Sequence, residues 1–370
     1  MSRLVLAGAG HAHLATLAAL PEFVRRGHHV TVVSPEPEPA YTGMGPGVLG
    51  GRYRPEQALL PVEQLTVAGG GLFRRDRVVA LDARRRTLLL ASGEELPFDI
   101  LSCNLGSTVP LPAGFEPDAR TVPVKPVANL AQARRELLAR PVPDPLRLAV
   151  VGGGPAGVEI AGNLAALLVQ GRRPGTVHLF AGSRLLADFP ERARQLVLAN
   201  FARRGIAVHE GVRLAGQYDG RLRFGDDSTC AADVTFLALG IRPPALFADA
   251  GLPVGGDGGL LVDATLQVID HPGIFGGGDC IAFAPRPLPK VGVHAVREAQ
   301  VLRRNLLAAL AGRPLNRYRP QRHCLLIFNL GDGNAVLHRA GLVAAGRWAM
   351  YGKEWLDLSF VRRWQRLAEK

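Results

Sequence analysis

The chain has 370 residues, 47% of them hydrophobic, and sets 44 Lys+Arg against 32 Asp+Glu for a formal charge of +12. It is long enough for more than one core and too apolar to be disordered, and its 44 Gly and 28 Pro follow no collagen period. No uncharged apolar run is long enough to span a bilayer, and Met1 leads into a strand pattern rather than a signal peptide, so the expected location is cytoplasmic. Only Lys125, Lys290, Lys353 and Lys370 among the basic residues are lysines. An arginine bias with this much Ala, Gly and Pro fits a GC-rich genome, and no interleaved aromatic–basic platform points to nucleic acid. Cys103, Cys230, Cys280 and Cys324 form no CxxC or CxxxxC, which leaves no compact redox pair or zinc knuckle and predicts free thiols.

Residues 3–7 read as an apolar strand, followed by Gly8-Ala9-Gly10-His11-Ala12-His13, an Ala/Leu-rich helix ending at Pro21, and a second strand over 29–33. This is a βαβ unit with a glycine turn at its start. Gly8 allows the tight turn, and Gly10 lets backbone N–H groups approach a pyrophosphate at the helix N-terminus. His13 stands where the third glycine of the usual pattern falls. The i, i+2 spacing of His11 and His13 does not suit a shared metal, so no metal site is expected; His11 is a candidate for contact with a phosphate or ribose. The ribose-binding acid would fall near Ser34, with Glu36 the nearest carboxylate.

A second unit is complete. Residues 146–151 form a strand, Gly152-Gly153-Gly154-Pro155-Ala156-Gly157 is a full GxGxxG, and a helix over 158–169 leads to a strand over 177–180. Ala181 then stands where an NAD-preferring site carries an acid. Arg184 nearby suits the 2′-phosphate of NADPH, or is a solvated loop residue. Strands over 98–107 and 233–243 end in similar glycine turns, at Gly106 and Gly240, and each closes one unit. Residues 274–280 put Gly278-Asp279 at a third glycine-rich strand end, opening a helix.

With these three motifs in order, residues 1 to about 315 resemble the two-dinucleotide-binding flavoproteins, the pyridine nucleotide-disulfide oxidoreductases. The resemblance implies an α/β fold with two Rossmann-like domains, one for FAD and one for NADH or NADPH, plus a small α+β C-terminal region. The FAD-binding domain would span 1–115 and 246–315, the NAD(P)H-binding domain 116–245, and the C-terminal hairpin and amphipathic basic helix 316–370. Gly278 and Asp279 would hold the flavin ribitol. The runs 8–13, 40–47, 122–126, 289–293 and 348–364 look like a subfamily found fused upstream of selenophosphate synthetase, near the type II NADH dehydrogenases that reduce quinones.

Several roles follow from this resemblance. Tyr41, Gly43, Met44 and Pro46 lie in a loop that would run along the isoalloxazine. Lys290 would place a cation near the flavin pyrimidine, where it stabilises negative charge. Glu159 would orient the nicotinamide or relay a proton. The glutamine pair that type II enzymes carry near the quinone is replaced here by Val293 and Arg297. The expected acceptor is a quinone. A sulfide or selenium-compound reductase using Cys103 or Cys280, and a flavoprotein sensor, are the alternatives.

Residues 324–330 and 334–338 read as a hairpin around Gly331-Asp332-Gly333, and Gly341–Gly346 leads to a helix near 352–368. All three tryptophans lie in the last 23 residues. Leu356, Phe360, Trp364 and Leu367 share one stripe, and basic residues 339, 347, 353, 362, 363, 366 and 370 outnumber acids 354, 357 and 369. This pattern predicts a membrane-surface contact through 348–370, peripheral on the inner face of the cell membrane; packing on the body or a homodimer face are the alternatives.

Overall fold

The computed structural model describes residues 1–112, 115–140 and 145–369, which leaves Lys370 outside. Thirteen strands position the site. They are β1 (Arg3–Ala7), β2 (His29–Val33), β3 (Leu72–Arg74), β4 (Ile100–Cys103), β5 (Thr121–Pro123), β6 (Leu146–Val151), β7 (Gly175–Ala181), β8 (Ile206–Glu210), β9 (Val234–Leu237), β10 (Ile274–Gly276), β11 (Leu326–Asn329), β12 (Ala335–Arg339) and β13 (Leu342–Gly346). The helices that matter are α1 (Gly45–Leu49), α2 (Ala128–Ala139), α3 (Pro155–Gln170), α4 (Glu191–Arg203), α5 (Gly292–Leu310) and α6 (Arg347–Ala368).

Two five-stranded sheets, both parallel throughout, repeat one plan: β3-β2-β1-β4-β10 and β8-β7-β6-β9-β5. Their central strands are continuous apolar runs because helices cover both faces. In each unit a three-stranded antiparallel meander precedes the closing strand, over 78–97 in the first and 214–231 in the second. The first sheet takes β10 from far along the chain, so the second unit is inserted into the first.

Local breaks depart from the sequence reading for identifiable reasons. The first helix is split into a 3-10 turn at His11–His13 and short helices at Leu14–Leu17 and Leu20–Arg25. Pro21 sits in the first turn of the last of these, where its missing N–H costs nothing, rather than ending a helix. Tyr41–Pro46 is not an open loop: Thr42–Met44 is a 3-10 turn running into α1, and Met44 and Pro46 are buried. Gly278–Cys280 is a 3-10 turn followed by a strand at Ile281–Phe283, so the helix after Asp279 starts only at Gly292. Residues 342–346 form β13, which makes the expected hairpin a three-stranded sheet.

The C-terminal region joins two cores. Phe328, Leu330, Val336 and Val343 enter the core of the second unit, whereas Ala335, Met350, Val361 and Trp364 enter that of the first. Glycine lets β11 approach α3: a Cβ on Gly162 would lie 2.3 Å from the Leu330 carbonyl oxygen. Arg204, just past α4, donates to the carbonyls of Leu330 and Gly162 and locks this contact.

The stripe expected on α6 is corrected. Its buried face is Met350, Lys353, Asp357, Val361, Trp364 and Ala368. Leu356 and Leu367 are exposed, as are Trp348, Tyr351 and Trp355. Burying Lys353 and Asp357 as a pair rotates the helix away from the face a purely apolar count selects. Trp364 is 5% exposed within the first core. Trp364→Ala should therefore cost about 3–5 kcal/mol in denaturant unfolding; a loss of less than about 1 kcal/mol would mean that α6 is not part of that core.

Candidate functional site

The turn after β1 is built around Asn104, which follows β4. The Asn104 Oδ1 accepts the Ala12 N–H at 3.1 Å, and its Nδ2 donates to the Gly277 carbonyl at 2.5 Å. Added Cβ atoms on Gly8 (φ +90°), Gly10 and Gly278 (φ +77°) would meet Asn104 at 2.3, 2.3 and 2.4 Å. All three predicted glycines thus converge on one residue that the sequence reading passed over, Gly8 on its backbone oxygen and Gly10 and Gly278 on its side chain. His13, at the missing third glycine, points inward: its Nδ1 contacts the Gly8 carbonyl at 2.7 Å and its Nε2 the Ser102 hydroxyl at 2.8 Å. Burial lowers its pKa to about 4, so it is a neutral packing group.

His11 faces the site. It packs edge-on against Tyr41, with ring centroids 5.1 Å apart, and its Nε2 has no hydrogen-bond partner. Burial lowers its pKa to about 4 despite the opposing charge of Asp279. An orphaned polar atom beside a glycine turn suits a polar cofactor group. Ser34, at the end of β2, uses its hydroxyl to hold the Glu36 backbone, donating to the carbonyl at 2.9 Å and accepting the N–H at 3.3 Å. It therefore shapes the turn that presents Glu36.

Asp279 is held by residues from both units. Lys125 Nζ lies 2.5 Å from its Oδ2 and donates to Ser107 Oγ at 2.9 Å, and Ser107 donates to Asp279 at 3.2 Å. Gly106 (φ +70°) turns the chain into Ser107. Behind this cluster the Gly278 N–H donates to Glu298 of α5 at 2.6 Å; burial raises the Glu298 pKa to about 7. Lys290 is an ion-pair partner rather than a free cation, 2.9 Å from Asp257 and bonded to the Ile281 carbonyl. It lines a cavity of about 360 Å³ with Asp279, Val291, His294 and Glu298.

In the second unit the glycines again fill close contacts. A Cβ on Gly152 (φ +137°) would lie 2.1 Å from the Ala238 carbonyl oxygen, and one on Gly157 would lie 1.8 Å from the Gly152 oxygen. Gly154 caps α3 with open space around it, and Gly240 (φ +85°) turns the chain after β9. These cradles fit two dinucleotides: Gly8, Gly10 and Asp279 would hold FAD, and Gly152, Gly154 and Gly157 the nicotinamide dinucleotide. Arg184 is exposed and paired with Glu191.

Glu159, one turn into α3, meets a network from the C-terminus. Its Oε1 accepts the Asn329 N–H at 2.9 Å. Lys353 of α6 lies 3.1 Å from Asp357 and donates to the Gly43 carbonyl at 3.0 Å, while Tyr53 donates to Asp357 at 3.4 Å. Burial raises the Glu159 pKa to about 7, against the pull of Lys353 and Asn329. Burial opposes the Lys353 charge, but Glu159 and Asp357 outweigh it and leave its pKa raised. Burial and then the charge of Asp357 push the Tyr41 pKa up to about 12. The sequence reading counted Lys353 and Asp357 only in the charge balance of the tail and passed over Tyr53; the scarcity of lysine was the one signal that pointed to Lys353.

Cys103 and Cys280 are buried neighbours. Burial pushes the Cys103 pKa well up and that of Cys280 to about 12, so neither is a ready thiolate.

The model of the family described as pyridine nucleotide-disulphide oxidoreductase matches residues 2–299. Ferroptosis suppressor protein 1 of Taeniopygia guttata is 29% identical over 69% of this chain and 68% of its own length. The demethylphylloquinone reductase NdbB of Synechocystis is 28% identical over 82% and 78%. The sulfide:quinone oxidoreductase of Aquifex aeolicus shares the fold, with a TM-score of 0.81 at 19% identity, covering 99% of this chain and 92% of that one. The chain belongs to the pyridine nucleotide-disulphide oxidoreductase family and is a FAD-dependent oxidoreductase that uses NADH or NADPH.

Proposed function

We propose that the protein passes reducing equivalents from NAD(P)H through FAD to a quinone, as type II NADH dehydrogenases do. Within the family it stands nearest the subfamily fused upstream of selenophosphate synthetase, on the motifs quoted above. Residues 1–115 with 246–315 form the FAD-binding domain, and 116–245 the NAD(P)H-binding domain. FAD held there would supply the hydride acceptor for the nicotinamide and the electron donor for the quinone. Gly8, Gly10, His11, Ser34, Glu36 and Gly106 serve its phosphate and ribose end, and Asp279 with Gly278 its ribitol. Tyr41 and Gly43 border the ring site, with buried Met44 and Pro46 supporting them. Lys290 acts through its cavity and its pairing with Asp257.

The observation that carries the acceptor is the half-buried Glu159 carboxyl within electrostatic reach of Lys353. Reducing a quinone to a quinol with NAD(P)H consumes one proton besides the hydride. With its pKa raised to about 7, Glu159 is poised to hold and release a proton near neutral pH while Lys353 stays charged, which suits a proton donor. The NdbB relative, named as a demethylphylloquinone reductase, supports the same reading. The burial of Cys103 and Cys280 counts against a thiol-based sulfide or selenium reaction. The exposed Trp348, Tyr351 and Trp355, with Arg362, Arg363 and Arg366 nearby, support a peripheral membrane contact by α6; among the described residues no helix is long and apolar enough to cross a membrane.

Under anaerobic conditions the purified yellow protein should bleach with NADH or NADPH and recover its colour with a soluble quinone; no bleaching by either nucleotide, or no reoxidation by any quinone, sinks this reading. A carboxyl whose pKa is raised to about 7 is protonated below that value, so quinone turnover should fall as pH rises through 7. Glu159→Gln should flatten that limb and lower kcat, with flavin content unchanged. Binding to anionic vesicles should weaken with salt and on replacing Trp348 and Trp355 by Ser; equal retention by the variant would exclude α6 as the contact.

A further inference from the structure

The end of β7 is the part of a nucleotide unit that reads the adenosine ribose, because it lies beside the glycine turn that receives the pyrophosphate. Here a cleft of about 350 Å³ is lined by Val151, Gly152, Gly182, Ser183, Arg213 and Leu239, among others, and no carboxylate is among its lining residues. Ala181, at the position of the usual acid, is 1% exposed and packs under Gly153, where an added Cβ would meet the Ala181 Cβ at 2.6 Å. Nothing at that position can accept hydrogen bonds from a free 2′-hydroxyl.

Two nearby acids, Glu210 and Glu191, are already engaged, and Asp188 is not among the residues that line the cleft. Glu210, at the end of β8, accepts the Leu185 N–H at 2.6 Å and pairs with Arg194 at 2.5 Å. Glu191 pairs with Arg184 and with Arg194 at 3.2 Å. Arg184 and Arg194 are therefore spent on neutralising two carboxylates. Arg213 is different. It follows β8, its stem crosses the loop after β7 closely enough that a Cβ on Gly182 would meet its Cγ at 3.2 Å, and among the described residues its guanidinium has no acidic partner. The loop is pinned to that arginine's segment by backbone bonds from Gly211 to Ser183 (3.1 Å) and from Val212 to Ala181 (3.0 Å), so Arg213 is held over the cleft.

We infer that this cleft takes the 2′-phosphate of NADPH and that Arg213, not Arg184, is the cation that binds it, with the Ser183 hydroxyl as a further donor. This rests on the reading of residues 116–245 as the nicotinamide-dinucleotide domain. A guanidinium forks onto a phosphate through charge-assisted bonds, and an uncompensated one favours a dianion over a neutral hydroxyl.

Calorimetric titration of the FAD-loaded full chain with adenosine 2′,5′-bisphosphate and with 5′-AMP tests this without turnover. The bisphosphate should bind at least about tenfold tighter, which is 1.4 kcal/mol. Arg213→Ala should erase that difference while leaving 5′-AMP affinity unchanged, Arg213→Lys should keep part of it, and Arg184→Ala should keep all of it. In steady-state assays the NADPH-to-NADH ratio of kcat/KM should fall with Arg213→Ala by the same factor. Equal binding of the two probes by the wild type, or a preference that survives Arg213→Ala and is lost in Arg184→Ala, overturns the inference. If the probes behave as expected but neither dinucleotide bleaches the flavin, the hydride-donor reading fails and the anion site stands.

Discussion

Lys353 carries a charge into the place where three parts of the chain meet. It extends from α6, donates to the Gly43 carbonyl of the first unit, pairs with Asp357 one turn along its own helix, and acts electrostatically on Glu159 of the second unit. A buried ammonium is tolerated only when its desolvation is offset by opposite charge and by hydrogen bonds, and here both are present. The same requirement fixes the rotation of α6. If Lys353 and Asp357 must face inward, Met350, Val361 and Trp364 follow them into the first core, and Trp348, Tyr351 and Trp355 are turned out. The electrostatic pull on Glu159 and the aromatic outer face of α6 are thus two consequences of one buried charge.

The two parallel units carry the same plan but solve the glycine turn differently. In the second, Gly157 packs on the Gly152 oxygen and Gly152 on the backbone of Ala238. In the first, His13 replaces the third glycine and spans from the Gly8 carbonyl to Ser102, while Asn104 takes the place that Ala238 has in the other unit. A polar residue is useful there because the first sheet is completed by a strand from late in the chain. Asn104 ties the Ala12 N–H at one end of the unit to the Gly277 carbonyl at the other. Lys125 adds a link of the opposite kind, reaching from the second unit to Asp279.

Much of this was legible in the sequence because it depends on local chemistry. Parallel strands buried on both faces read as apolar runs, and glycine turns announce themselves through the backbone freedom they need, so β1, β2, β6, β7 and β9 and the three glycine motifs were found from pattern alone. What escaped was set by long-range pairing. Asn104 looks like an ordinary strand-end residue until Gly277 is brought to it. Lys290 looked like a free cation because Asp257, its partner, lies 33 residues upstream, beyond the reach of local periodicity. Arg184 looked suited to a phosphate for the same reason, since Glu191, its partner, opens the next helix.

The α6 stripe shows the limit most clearly. Counting apolar residues on a helical wheel assumes that charge faces water, and Leu356, Phe360, Trp364 and Leu367 satisfy that count. The assumption fails wherever a protein holds charge inside for chemistry. The residues that betray the failure are themselves polar: Lys353 and Asp357 at i, i+4 form an ion pair that would be nearly worthless on a surface and matters only when dry. An i, i+4 pair of opposite charge on a tryptophan-rich helix therefore has two readings, a solvated face or a buried functional seam. The second becomes testable once another unit of the chain supplies a carboxyl to the same ammonium, as Glu159 does here.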